Sequence, residues 1–200
     1  MPIDEIEETE ENKREKKGRS RRQPEEEPFS WKKEIISWIQ IIVAAVVIAL
    51  FLNNVIIANS RVPTGSMENT IMSHSRVIGS RQAYINSEPE LGDELNFKFQ
   101  DNREVYYVKR VIGLPGETVN VVDGKVYIND SQTPLDEPYL PEPMEGSYGP
   151  YTVPEGCYFM MGDNRNNSLD ARFWKNQFVP KKDIMAKVLF CYYPKIGKVE

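Results

Sequence analysis

Scarcity does the first sorting. The chain has two cysteines, one histidine and no surplus of positive charge. Cys157 and Cys191 are too few for a disulfide scaffold and too far apart for a zinc knuckle, so free thiols are expected. The single histidine, His74, cannot build a multi-histidine metal site, and it serves a Ser-His-Asp triad only if it is that triad's base. A net charge of −5 and a pI near 5.2 lack the electrostatic footprint of a nucleic-acid binder, so no nucleic-acid partner is expected. Mean hydropathy of −0.52 excludes a multi-span membrane protein. At 200 residues there is room for about one domain.

What is present divides into three unlike segments. Met1–Glu34 is nearly all charge: acidic at Asp4–Glu11, basic at Lys13–Arg22, acidic again at Glu25–Glu27. It buries too little apolar surface to offset the entropy of ordering, and a disordered cytoplasmic tail is expected. Ile35–Ala58 carries the one long apolar run, unbroken over Ile41–Leu52. A bilayer core of ~30 Å asks for ~20 such residues in a helix. Trp31 and Trp38 stand where interfacial anchors belong. A buried core helix would need an amphipathic pattern, and a cleaved leader would have a shorter charged region and a small-x-small site after it. A single transmembrane helix over 35–58 is the reading. Lys16, Lys17, Arg19, Arg21, Arg22, Lys32 and Lys33 precede it, whereas only Arg61 and Arg76 follow closely. The positive-inside rule then places the N-terminus in the cytoplasm and residues 59–200 outside, at the plasma membrane.

Residues 59–200 are the part that can do chemistry. Short runs rich in Val, Ile, Tyr and Phe predict strands at Arg76–Tyr84, Glu94–Phe99, Val105–Ile112, Thr118–Val122, Lys125–Ile128, Tyr158–Met161 and Ile184–Tyr193. Asp123-Gly124 between two of them is a hairpin signal. Thr133–Pro154 holds six prolines and reads as an extended loop or insertion. The expected fold is mostly β, an antiparallel sheet or barrel-like domain behind one N-terminal transmembrane helix.

Three stretches carry candidate chemistry. In Pro63-Thr64-Gly65-Ser66-Met67 a rigid and a permissive residue flank a serine, which can present its hydroxyl or simply form a turn. Ser66 lies eight residues beyond Ala58, so full extension keeps it within about 30 Å of the helix end. A serine nucleophile needs a base. His74 sits in a polar stretch with nothing to aim it. Lys109, in Val105–Ile112, is the other option, because a desolvated lysine can give up its proton and arginine cannot. On a strand Lys109 and Arg110 point to opposite faces, both otherwise apolar, so periodicity leaves open which cation is buried. A lysine at the surface of an edge strand is also compatible. Gly162–Arg172 is dense in hydrogen-bonding side chains, and Asp170–Arg172 there fits an ordinary surface pair equally well.

Taken together and in this order, the three stretches resemble those of type I signal peptidases, the membrane-bound Ser/Lys endopeptidases of bacteria. Pro63–Met67 is similar to their nucleophile box, Tyr107–Glu117 to the general-base box, and Gly162–Arg172 to the third. Gly92-Asp93 before a strand is similar to the box between. Two departures stand out: Met67-Glu68-Asn69-Thr70-Ile71 lacks the usual proline, and Ala171 replaces a common serine. The resemblance implies Ser66 as nucleophile, Lys109 as neutral general base and Thr64 with the Ser66 N–H as oxyanion hole. It implies that Ser168 orients the lysine and that Asp170 and Arg172 form a supporting ion pair. Val62, Pro63, Met67, Ile71, Tyr107 and Val108 are implied as the lining of substrate pockets. No metal or cofactor belongs to the family. The implied partners are signal-peptide-bearing pre-proteins and the lipid bilayer, with the chain acting as a monomer.

A substrate added as a strand shows alternate side chains to one wall, so positions −1 and −3 share shallow pockets that admit small residues. Three other readings compete with this one. A self-cleaving repressor-type Ser/Lys peptidase would carry a DNA-binding domain where this chain has a membrane span. A non-catalytic anchored β-domain would have no need of both Ser66 and Lys109. A processing peptidase with one narrow client differs from the general enzyme in no sequence feature.

Overall fold

The computed structural model describes residues 30–199, and the chain falls into two units, one ending at Ala44 and one starting at Ala45. The expected disordered tail lies outside the described residues, apart from 30–34. Helix α1 runs over Trp31–Phe51, and a π-helical stretch, Leu52–Ile56, continues it. No Gly or Pro interrupts this stretch, and none of its side chains is buried. Within Trp31–Ile56 an 18-residue stretch has a mean hydropathy of 2.8, and at about 1.5 Å per residue the segment is long and apolar enough to cross a membrane. It starts at Trp31 rather than Ile35, so Lys32 and Lys33 are already helical. Ile57 and Ala58, expected to close the span, belong instead to the first strand. Ala58 is buried there, opposite Gly79.

From Ala45 onward the unit is β-rich. One sheet contains β1 (Ile57–Arg61), β2 (Arg76–Ser80), β3 (Glu94–Lys98), β4 (Tyr106–Gly113), β8 (Cys157–Met161), β9 (Phe178–Pro180), β10 (Ile184–Tyr193) and β11 (Gly197–Lys198). Its order is β1-β2-β10-β3-β4-β8-β9, with β11 added to β10, and every pairing is antiparallel. Register shifts along β10, and between Val111 and Gly113 of β4, bend the strands as bulges do. A second sheet, ordered β6-β5-β7, holds β5 (Thr118–Val122), β6 (Lys125–Ile128) and β7 (Tyr148–Thr152). Asp123 (φ 47°) and Gly124 (φ 75°) turn β5 into β6, the paired positive φ values that a two-residue hairpin requires. The fold is thus mostly β and antiparallel behind one apolar helix, as expected.

The main core joins both sheets: Leu95, Phe97, Val111 and Phe159 from the larger pack with Val119, Val121 and Val126 from the smaller. A second cluster gathers Val62, Met67, Ile71, Val77, Val108 and Val188. The proline-rich segment differs from the expected loop. It contains β7, an edge strand where Pro150 costs no internal ladder bond, and it sends Met144 and Val153 into the main core. Both cysteines are free and half-buried.

Candidate active site

β4 decides the site. It lies between β3 and β8, and every residue from Val108 to Gly113 is buried, so neither of its cations is at an edge. Lys109 and Arg110, each 3% exposed, leave opposite faces into different surroundings. Arg110 is held by a two-pronged pair with Asp163 (Nε 2.9 Å, Nη2 2.7 Å), donates from Nη1 to the Gly92 carbonyl at 2.7 Å, and pairs with Glu94. Three hydrogen bonds and an ion pair hold its planar fork, and it ties β4 to the loop after β8. Among the described residues no carboxylate contacts Lys109. Its amine is hydrogen-bonded to the Ser66 hydroxyl and lies 5.6 Å from the centre of the Tyr107 ring. Burial drives the Lys109 pKa down from 10.5 to about 8, against the opposing fields of Asp170 and Asp163.

The serine is held by its backbone. The turn at Gly65–Glu68 closes with Glu68 N–H donating to the Gly65 carbonyl at 3.1 Å. The next residue, Met67, is fully buried in the second core cluster. From the loop after β8, Asn164 N–H donates to the Ser66 carbonyl (3.1 Å) and Asn164 Nδ2 to the Gly65 carbonyl (3.0 Å). Gly162 permits this contact. A Cβ there would lie 2.3 Å from the Ser66 carbonyl oxygen and 2.2 Å from Ser168 Oγ. The Thr64 hydroxyl is 3.3 Å from Ser66 Oγ, and among the described residues the Ser66 N–H meets no acceptor.

Asp170 and Arg172 are not a surface pair. Asp170 accepts from Arg172 Nε (2.8 Å) and Nη2 (2.9 Å) and from the Gly162 N–H (3.0 Å). Arg172 Nη2 also donates to the Arg165 carbonyl at 2.6 Å. The pair holds Gly162 by its N–H. Ser168 lines the same cleft as Ser66 and Lys109. Among the described residues its buried hydroxyl has no hydrogen-bond partner.

The cleft over these groups, about 550 Å³, exposes Thr64, Ser66, Tyr107, Lys109, Ser168 and the apolar Leu169 and Phe173. Of the residues expected to line substrate pockets, only Tyr107 reaches it. Val62, Met67, Ile71 and Val108 are packed in the second cluster, and Pro63 is exposed elsewhere. The hydrophobic drive that anchors the serine turn takes these side chains inward. His74, the alternative base, is exposed and lines another cleft. Such an arrangement can generate an alkoxide-like nucleophile beside an amine that takes its proton, with two donors poised for a developing oxyanion.

The family model described as signal peptidase, peptidase S26, matches residues 35–193. The chain belongs to the signal peptidase family. Signal peptidase I S of Bacillus subtilis (strain 168) is 38% identical over 179 residues, 84% of this chain and 94% of that protein. Signal peptidase I of Leptolyngbya laminosa is 35% identical over 167 residues, covering 80% of each. A solved signal peptidase I from Enterococcus faecalis V583 is 33% identical, over 50% of this chain and 97% of that one, with a TM-score of 0.43. In this signal peptidase the sequence reading gave no separate role to Gly162, Asp163 and Asn164: Gly162 and Asn164 meet the serine turn at its backbone, and Asp163 pairs with the Arg110 side chain. Leu169 and Phe173 did carry a signal, as large apolar side chains inside an otherwise polar loop.

Proposed function

We propose that this signal peptidase cleaves signal peptides from exported pre-proteins with Ser66 as nucleophile and Lys109 as general base. One observation carries the reading: a buried amine, made weakly basic by desolvation, is hydrogen-bonded to a serine hydroxyl in an open cleft. Neutral Lys109 takes the Ser66 proton as Oγ bonds to the scissile carbonyl carbon. The resulting oxyanion is held by the Thr64 hydroxyl and the Ser66 N–H. Collapse breaks the C–N bond, and the Lys109 ammonium returns its proton to the leaving amine. A water then gives its proton to Lys109, attacks the ester, and Ser66 leaves as the restored hydroxyl. Asp170 and Arg172 hold the Gly162 loop on which this geometry rests, and Ser168 supplies a hydroxyl for the transient ammonium. Small residues at −1 and −3 meet the cleft wall at Tyr107. In this reading α1 spans the plasma membrane with the N-terminus cytoplasmic, the β unit works outside, and the chain is a monomer.

The test is incubation of the detergent-solubilised chain with a purified precursor, reading the product's new N-terminus by mass spectrometry. A cut after a small-x-small triplet, absent with Ser66→Ala, is expected; a cut that persists in that variant would remove Ser66 from the role. The pH dependence has a fixed sign. The base form is required and its pKa is about 8, so kcat/KM rises about tenfold per pH unit below 8 and flattens above it. A profile level from pH 6 upward would exclude a lysine titrating there.

A further inference from the structure

We propose that a cationic cleft at the edge of the larger sheet binds the phosphate of an anionic lipid headgroup and so clamps the β unit to the membrane beside its own anchor. Arg61 of β1 and Arg76 of β2 are direct cross-strand partners, an arrangement in which like charges repel. Neither guanidinium makes an ion pair or hydrogen bond with any described residue. Three other cations of the β unit are matched by carboxylates: Arg103 with Asp183, Lys181 with Glu88, Lys187 with Asp93. His74, held at φ 62°, and Tyr192 and Tyr193 of β10 complete the wall around a space of about 570 Å³. Tyr193 is itself the partner of Arg76 on β10, and the Tyr192 hydroxyl is fixed by donating to Asn59 at 2.9 Å. Two unmatched guanidiniums beside the Tyr193 phenol and the His74 imidazole suit a phosphate, whose oxygens accept several charge-assisted bonds.

The surroundings decide which phosphate. Tyr193 of the wall is 56% exposed, and Met72 and Ile196, within three residues along the chain of the wall residues His74 and Tyr193, are 47% and 72% exposed. Apolar tips flanking cations are the marks of an interfacial surface. Arg61 follows Ile56, the last residue of the apolar helix, by five positions, a reach of at most about 18 Å. A headgroup is therefore held at high effective concentration near the cleft. The proposal rests on α1 spanning the bilayer.

The full chain is to be placed in nanodiscs of phosphatidylcholine, alone or mixed with phosphatidylglycerol, and followed by hydrogen exchange. Amides in 61–76 and 190–198 are expected to exchange about tenfold more slowly in the anionic discs. In an Arg61→Ser/Arg76→Ser variant that difference should vanish, while cleavage of a soluble peptide in detergent stays at the wild-type rate and shows that the variant is folded. Equal exchange in the two lipids, or protection that survives the double substitution, overturns the proposal. The same protection from inorganic phosphate in detergent alone reassigns the cleft to a free anion and overturns the lipid. Wild-type chain that fails to co-elute with discs strikes the anchor reading first, and this proposal with it.

Discussion

Lys109→Met should reduce kcat/KM by about 10³-fold or more, because a positioned general base contributes about 10²–10⁴ and acts as a unit with its nucleophile. The variant keeps the length and apolar stem of the side chain, so the cleft wall is preserved and the only loss is the amine. The same substitution should make the protein more stable. In the folded state the amine's pKa is depressed from 10.5 to about 8, so below pH 8 both states carry the proton and the folded state bears the full cost of a buried charge. Between about 8 and 10.5 the folded state binds fewer protons than the unfolded one, and stability rises with pH. Removing the amine should therefore stabilise the fold by on the order of 2–3 kcal/mol near neutrality, with the gain fading toward pH 10.5. Thermal unfolding of both proteins at pH 7 and pH 10 measures this. A variant that is both inactive and less stable at pH 7 would point to a structural lysine, and the base would have to be sought elsewhere.

Gly162→Ala should be the most damaging change at a residue with no functional atom of its own. Its Cβ would come within 2.3 Å of the Ser66 carbonyl oxygen and 2.2 Å of Ser168 Oγ. The first of these is backbone and cannot swing aside. To relieve the contact, the loop after β8 must withdraw and the Asn164 bonds to Gly65 and Ser66 must lengthen. A shift near 1 Å at a reacting centre can cost about 10²-fold. A fall of that size in kcat with KM little changed is expected, because the cleft walls at Leu169 and Phe173 need not move. A variant cleaving at the wild-type rate would mean that the serine turn tolerates displacement, and the backbone clamp argued here would have no catalytic weight.

The apolar helix was legible because a membrane demands length and composition, and both are local properties. Strands such as Thr118–Val122 and Lys125–Ile128, with Asp123-Gly124 between them, were legible for the same reason: pattern and turn chemistry act within a few residues. β7 was hidden, since Gly149 and Pro150 argue against a strand and only the exposed edge of the smaller sheet accommodates them. The motif stretches named Ser66 and Lys109 but left open whether the lysine or Arg110 was buried. Tertiary structure buried both and separated them by partners: Asp163, Glu94 and a carbonyl hold the charge on Arg110, while Lys109 faces a hydroxyl and an aromatic ring. Position in the sheet is a long-range property that alternation along one strand cannot encode. The pocket residues show the same limit from the other side. Met67 and Ile71 look like recognition side chains beside a nucleophile, yet packing draws them under the serine turn, and Leu169 and Phe173 come from a distant loop to form the wall. Composition and local pattern therefore determined the anchor, the β class and the reactive residue types. Only the folded sheet decided which charge is desolvated and which apolar groups remain for substrate, because both depend on what the rest of the chain places around them.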